Sequence, residues 1–409
     1  MTVDSTCIAR LVAEAAQYAT GLVIRRIVHP RHDLVGLELG RAGPWECLLI
    51  DWSAEFGRIH LAREMPEPGL RDQRFGSTLR RQVRGARIER IEQIDFDRLV
   101  HIELSNCEQL GPRCRRTLVA ELMGRHSNVV LIDEDERIVE AGKHVTNRVN
   151  RYRQTLPHLA YVPPPQFGRV PPWEADPEQI AEEAQAVLDQ PLGRWLRSTF
   201  HGGSDLFIDE VCARGGLDRE APLRELPDGW PEAVAEPLHA IPEEAARPGD
   251  AWVYYDGDEP ELAYPIELAH QPDRRRERIE SLSAAVEDLQ ETLARGNRVR
   301  QLCQRLLGAV SDAREKAERA LAKRREAADE ASEAELDRER GEMLMAYQHR
   351  VPAGAAEVTL PRFSGEGELT IELDPDLSAV ENAQACFRRY RKASRLNEMA
   401  PKLLAASRH

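Results

Sequence analysis

Short apolar runs alternate with turn residues over the first 170 positions, and their spacing assigns most of them to strands. Ser5 caps a helix whose apolar positions Ile8, Leu11, Val12, Ala15 and Ala19 recur at helical spacing and stop at Gly21. Apolar runs at 22–28, 34–39, 47–52 and 58–61, separated by Pro30, Gly43-Pro44 and Gly57, predict an antiparallel sheet. A short amphipathic helix over 72–83, starting at Asp72, turns Phe75, Leu79 and Val83 inward and shows Arg74, Arg80, Arg81 and Arg84 outward. Residues 88–94 and 99–104 alternate apolar with polar around Asp95-Phe96-Asp97-Arg98, which predicts a hairpin with an acid-base pair at its tip. After a turn at Gly111-Pro112, runs at 118–123 and 129–132 add two strands around the polar turn 124–128. The basic segment 143–153 gives this stretch an anion-binding edge, and the proline-rich spacer 163–172 closes the domain. The sum is a mixed α+β sandwich of about eight strands and two helices.

Beyond the spacer the period changes. Segments 177–188 and 192–197 read as helices, and 200–218 has the form helix, glycine-rich turn, helix, centred on His201-Gly-Gly-Ser-Asp. Helix-hairpin-helix units of this kind often present turn amides to a phosphate, although Asp205 beside those amides counts against an anion site. Residues 221–272 are rich in proline and acid, with one strand-like island at 252–256. A long helix is expected from Arg276: Leu282, Val286, Leu289, Leu293, Cys303, Leu307, Val310, Ala317 and Leu321 follow 4,3 spacing, broken near Gly296 and Arg300, with no proline before Pro352. About 70 helical residues extend roughly 100 Å with one narrow apolar seam, which requires a partner helix. A hairpin of 358–363 with 369–373 and a return helix from Ser378 through Ala383, Phe387 and Tyr390 supply it in antiparallel sense, too short to cover the whole outgoing helix. The domain plan is therefore 1–172, 173–272, and 273–409 with its hairpin within 357–374.

Composition changes this picture in two places. Charged residues make up 31% of the 409, which fits an elongated solvated element. The seven cysteines are scattered with no Cys-x-x-Cys pair, and His126, His144 and His158 lack ligand spacing, so neither a metal nor another cofactor is expected. No signal-peptide pattern is visible and no apolar run nears the ~20 residues that span a bilayer, so the expected location is the cytoplasm, away from membranes. The net charge is −14, but residues 1–170 carry 25 Lys plus Arg against 22 Asp plus Glu, leaving the acid in the rest. In that first part Lys143 is the lone lysine among arginines, whose planar forks suit phosphate and base-face contacts.

The stretch Glu121-Leu-Met-Gly-Arg-His-Ser-Asn-Val-Val-Leu-Ile-Asp, followed by Lys143-His-Val and Leu156-Pro-x-x-x-Tyr-Val-Pro-Pro-Pro, resembles the NFACT-N domain of the RqcH, FbpA and NEMF family. Arg58-Ile-His-Leu, Asp97-Arg98 and Leu373-Asp-Pro-x-Leu-Ser-x-x-Glu-Asn-Ala-Gln agree with it in the same order along the chain. The resemblance implies a glycosylase-like N-terminal β-sandwich with helices, a helix-hairpin-helix module, and a long antiparallel coiled coil with a β-hairpin tip. It implies a factor of ribosome-associated quality control, without an active site of its own, that binds the large ribosomal subunit and tRNA. Relatives add alanine tails to stalled nascent chains, which points to alanine tRNA. The resemblance carries tRNA binding onto Asp97, Arg98 and Asp4. Arg80, Arg81, Arg84, Arg125, Lys143, Arg148, Arg151 and Arg153 are candidate auxiliary phosphate contacts, whose joint signature is a steep salt dependence. Family members continue into an RNA-binding NFACT-R domain that these residues lack, which puts tailing activity in question, and the apolar seam allows self-association.

Two other classes remain as alternatives. A DNA-repair glycosylase or lyase of the same fold needs an N-terminal proline amine and usually a zinc finger, whereas this chain begins Met1-Thr2-Val3 without a cysteine cluster. An adhesin of the fibronectin-binding type needs an export signal and does not favour free cysteines.

Overall fold

The computed structural model describes residues 3–40, 43–69, 74–105, 114–363, 365 and 367–406, apart from the side chains of 290–302, 327, 328, 331 and 395–406. The expected helix start at Asp72, the turn at Gly111-Pro112 and the side chains of Leu293 and Arg300 fall outside the described residues. The chain divides into two compact units, Met1–Gly296 and Asn297–His409.

The first unit opens with α1 (Ser5–Ala19), capped by Asp4 rather than Ser5: Asp4 Oδ1 accepts from the Cys7 amide at 3.0 Å. Four strands follow, β1 (Ile24–Arg31), β2 (Leu34–Leu39), β3 (Cys47–Asp51) and β4 (Arg58–Ala62), paired antiparallel in sequence order. Helix α2 (Arg74–Val83) buries Phe75, Leu79 and Val83. A second antiparallel sheet then runs in order through β5 (Arg87–Gln93), β6 (Leu99–Ser105), β7 (Arg115–Glu121), β8 (Asn128–Asp133) and β9 (Ile138–Ala141). Strands β7 and β8 carry unbroken apolar runs because both faces are covered there. Leu118, Ala120, Val129 and Leu131 face the main core, whereas Val119, Val130 and Ile132 join Leu99 and Ile138 in a separate cluster behind the sheet.

The main core continues without a break into the helical part, α3 (Pro177–Ala184), α4 (Leu192–Thr199), α5 (Asp205–Gly215) and α6 (Trp230–Ala246). Helix α6 and two strands occupy the stretch that sequence pattern left as one island, and a third strand comes from the start of the expected long helix: β10 (Ala251–Asp256) lies between β11 (Glu259–Tyr264) and β12 (Arg276–Ile279). Proline density hid α6, which holds Pro237 and Pro242 in its interior. Pro237 has no N–H to offer the Ala233 carbonyl, and α5 runs close by there: a Cβ on Gly215 would lie 2.6 Å from Ala233 O. Arg10 of α1 then gathers the carbonyls at and beyond the C-terminal end of α6, donating to Ala245 O at 2.9 Å, Gly249 O at 2.9 Å and Asp250 O at 2.6 Å.

The long helix α7 (Leu282–Ala346) begins six residues later than expected, because Arg276 starts a strand instead. Its first turn is capped from α1. Glu14 Oε1 accepts from Leu282 N at 2.7 Å, and Glu14 Oε2 accepts from Ser283 N at 2.9 Å and Ser281 Oγ at 3.0 Å. Glu14 is buried, so Glu14→Ala leaves two amides without acceptors and is expected to lower stability by about 1–2 kcal/mol. Urea unfolding measures it; a midpoint unmoved from wild type would show that water replaces the cap.

In the second unit α7 runs on, followed by β13 (Glu357–Pro361) antiparallel to β14 (Glu368–Glu372) and by α8 (Ala379–Ala406). Ser378 and Glu381 form a reciprocal capping box at the start of α8, with Ser378 N donating to Glu381 Oε2 at 2.8 Å and Glu381 N to Ser378 Oγ at 3.3 Å. Met343, Leu344, Leu360, Ile371, Ala383 and Cys386 make a small core that joins the two helices to the hairpin. Gly341 lets the helices approach, since a Cβ there would lie 2.9 Å from the Phe387 ring, and Arg389 Nε donates to Asp337 Oδ2 at 2.9 Å. Leu307, Val310 and Leu321 of the expected seam, and Leu306 beside them, stand exposed along the stretch of α7 before this contact.

Candidate nucleic-acid interface

The turn between β5 and β6 is held by left-handed backbone at Asp95 (φ 52°) and Phe96 (φ 57°), and Asp97 N donates to Ile94 O at 2.9 Å. Consecutive left-handed residues match the twist of a tight hairpin. Phe96 is 2% exposed despite its place at a hairpin tip. Its ring packs against Phe207 of α5 at 5.4 Å and edge-on to Trp173 at 6.3 Å. It also lies against Gly202 of the His201-Gly-Gly-Ser turn, where a Cβ would come within 2.6 Å of Phe96 Cδ1. Gln93 Nε2 donates to Asp97 O at 2.8 Å and to Ser5 O at 2.9 Å, and Gln166 Nε2 donates to Asp95 Oδ2 at 2.7 Å. The tip is therefore tied to α1, to the helical turn and to the proline-rich spacer.

This anchoring fixes Asp97 and Arg98. Asp97 Oδ1 accepts from the Arg98 amide at 2.7 Å, and Oδ2 lies 4.0 Å from Nδ1 of the buried His201. The Arg98 carbonyl accepts from Leu122 N at 2.8 Å, which joins the tip to the end of β7 three residues before Arg125. Among the described residues no side chain pairs with the part-exposed Arg98 guanidinium. A rigid backbone thus carries a cation whose five donors are unspent, beside a carboxylate able to accept from base or ribose donors.

The other expected contacts divide. Asp4 is 3% exposed and fully employed, taking hydrogen bonds from Cys7 N, from Ser204 Oγ at 2.6 Å and from Tyr264 OH at 3.0 Å. It touches the same 201–204 turn as the tip but acts from beneath, which corrects its placement on the binding surface. Arg153 is likewise withdrawn: its guanidinium forms a bidentate ion pair with Glu121, with Nη1 2.8 Å from Oε2, and keeps only 11% of its side chain exposed. The tyrosyl of Tyr161, whose pKa burial raises, completes the group by donating to Glu121 Oε1 at 2.9 Å. Arg125, Arg148 and Arg151 are exposed near the β7–β8 turn and the following loop, with Lys143 half-buried beside them. Arg80, Arg81 and Arg84 are not gathered at the tip. They end α2 at the start of β5, and the tip lies at its far end, roughly 20 Å along a seven-residue strand.

The helix-turn-helix of α4 and α5 is not an open anion site. Ser204 caps α5 by accepting from Phe207 N at 3.1 Å, and Asp205 turns outward to Arg197 and Arg219, whose hydrogen bonds lower its pKa. The turn's work is to receive Phe96. Sequence reasoning missed Phe96, Gln166 and His201, and the one available signal was an aromatic residue in a turn otherwise made of charges.

A family model described as NFACT N-terminal and middle domains matches residues 4–409. The chain belongs to the NFACT family. Its curated relatives include the Rqc2 homolog RqcH of Bacillus subtilis, 29% identical over 285 residues, which covers 69% of this chain and 48% of that protein. The Rqc2 homolog RqcH of Streptococcus suis is 30% identical over 221 residues, 54% of this chain and 40% of that protein. The chain thus spans about half the length of the curated relatives it matches. Among solved structures, the N-terminal part of the fibronectin/fibrinogen-binding protein of Streptococcus suis aligns with a TM-score of 0.57 at 25% identity, over 71% of this NFACT chain and 99% of that one. The fibrinogen-binding protein of Staphylococcus aureus shares the fold, with a TM-score of 0.55 at 23% identity over 69% of this chain and 97% of that one. No described helix is long and apolar enough to cross a membrane, and no described group of His, Cys, Asp or Glu has the arrangement of a metal site.

Proposed function

We propose that this NFACT chain is a cytoplasmic RNA-binding factor of ribosome-associated quality control, which engages tRNA through Asp97 and Arg98 while bound to the large ribosomal subunit. The observation that carries the reading is the Arg98 guanidinium, which has no side-chain partner among the described residues and stands on a tip anchored from three sides. Family membership and the naming of relatives as Rqc2 homologs supply the ribosomal context. Arg125, Arg148 and Arg151 extend the cationic surface from the tip along the β7–β8 turn. The factor has no active site of its own: peptide transfer uses the ribosome, and alanine tRNA is the preferred ligand. The α7 and α8 helices form a coiled-coil arm, whose exposed seam allows self-association.

Titration of labelled tRNA at several salt concentrations tests the reading. Arg98→Ala is expected to weaken binding about tenfold and to reduce the slope of log affinity against log salt by about one, because one phosphate-neutralising cation is lost. Asp97→Ala is expected to relax discrimination among tRNAs with little change in salt slope. Equal affinity of wild type and both variants would remove tRNA from this surface, and failure to co-sediment with large ribosomal subunits would remove the ribosomal context.

A further inference from the structure

A cavity of about 560 Å³ opens beside the β7–β8 turn, walled on one side by Met123 and Arg125, on another by Lys143 and Val149, and closed by Pro165 and Phe167 of the spacer. Its size falls in the range of small-molecule sites, roughly 300–1,000 Å³. Three features of its lining are unexplained by folding. Phe167 is 81% exposed and has a left-handed backbone (φ 54°), a conformation unfavourable for a bulky side chain, so its ring is held at the rim while burying little of the protein's own surface. Lys143 is clamped through its backbone, with its amide donating to Asn128 Oδ1 at 2.7 Å and its carbonyl accepting from Asn128 Nδ2 at 2.9 Å. Its ammonium pairs with no carboxylate among the described residues and donates to Trp52 O at 3.5 Å, and burial lowers its pKa. Ser127 is fully buried at the cavity wall, and its hydroxyl has no partner among the described residues.

The carboxylate on this wall, Glu121, is held by Arg153 and Tyr161, so the lining presents an apolar plate and a partly desolvated cation. An aromatic ring exposed among cations is the arrangement on which a base stacks while its phosphate meets the charge. We infer that the cavity takes a single nucleotide unit, its base against Phe167 and its phosphate toward Lys143 and Arg125. The unit is either an unpaired residue of bound RNA or a free nucleoside monophosphate. The RNA form rests on the tRNA reading above, because Gln166, the neighbour of Phe167, is bonded to the hairpin tip. The free-nucleotide form does not depend on it.

Calorimetry on the full chain with AMP, adenosine and inorganic phosphate, paired with tRNA titration, tests the site. Phe167→Ala removes an exposed side chain and Lys143→Gln keeps the backbone clamp, and thermal melts confirm that both variants fold. Each is expected to weaken AMP or tRNA binding about tenfold, and phosphate alone is expected to bind more weakly than AMP and to respond only to Lys143→Gln. Displacement of AMP by tRNA assigns the site to RNA, and AMP binding untouched by saturating tRNA assigns it to a free nucleotide. Binding of AMP and tRNA unchanged in both variants, or absence of AMP binding with tRNA affinity lowered only by Arg98→Ala, overturns the inference and leaves the tRNA reading standing. Phosphate binding as tight as that of AMP and indifferent to Phe167 overturns it as well. Lys143-dependent AMP binding by a chain that binds no tRNA upholds the cavity and sinks the tRNA reading.

Discussion

Arg153→Ala is expected to destabilise the first unit by about 3–5 kcal/mol, the usual cost of breaking a buried ion pair from one side. Glu121 is 1% exposed on its side chain, and its two oxygens are occupied by the Arg153 guanidinium and the Tyr161 hydroxyl. Removing the arginine leaves a buried carboxylate with one neutral donor. The ring of Tyr161 also loses the guanidinium stacked 5.3 Å above its centroid. Urea unfolding of the single variants and of Arg153→Ala with Glu121→Leu forms the test: the second change should recover a good part of the loss, because no charge is then left buried. A single variant within about 0.5 kcal/mol of wild type, as surface substitutions usually are, would mean that Arg153 is a surface charge after all and would return it to the candidate phosphate contacts.

Phe96→Ala is expected to cost about 3–5 kcal/mol and, at a temperature where the variant remains folded, to weaken tRNA binding as much as Arg98→Ala does. The ring fills the space between the hairpin tip, Phe207, Trp173 and Gly202, so its loss leaves a cavity under the residue that sets the position of Asp97 and Arg98. Phe96→Leu should restore most of the stability and most of the affinity. Gly202→Ala attacks the same contact from the other side, combining a left-handed backbone (φ 75°) with a Cβ that has no room beside the ring. If Phe96→Ala lost stability yet bound tRNA like wild type, the docking would be structural only.

Much of the N-terminal architecture was legible because its strands are short, antiparallel and connected in sequence order, so each apolar run pairs with the next. Hairpin geometry at 95–98 followed from alternation alone. Elements whose local signals conflict with their environment were not legible. Pro237 and Pro242 argue against a helix at α6, which tertiary packing against α1 and α5 nevertheless holds. At 276–279 helix-compatible residues form β12, because β10 offers an edge there, as the pairing of Val253 with Glu277 records.

The candidate site shows the same division. Sequence picked out Asp97-Arg98 only through family resemblance, and treated Arg153 and Arg125 as equals because both are arginines near a turn. By itself it determined the order of strands in the first two sheets, the polar turn at 124–128, the uneven spread of charge and membership of the NFACT family. Only the tertiary structure decided which charges are available. Ion pairing and burial depend on residues distant along the chain, as Arg153 meets Glu121 across 32 positions and Asp4 meets Ser204 across 200. A charge already balanced inside the fold has little left to offer a phosphate, and one such as Arg98, held on a rigid tip with no side-chain partner among the described residues, has its full set of donors to give.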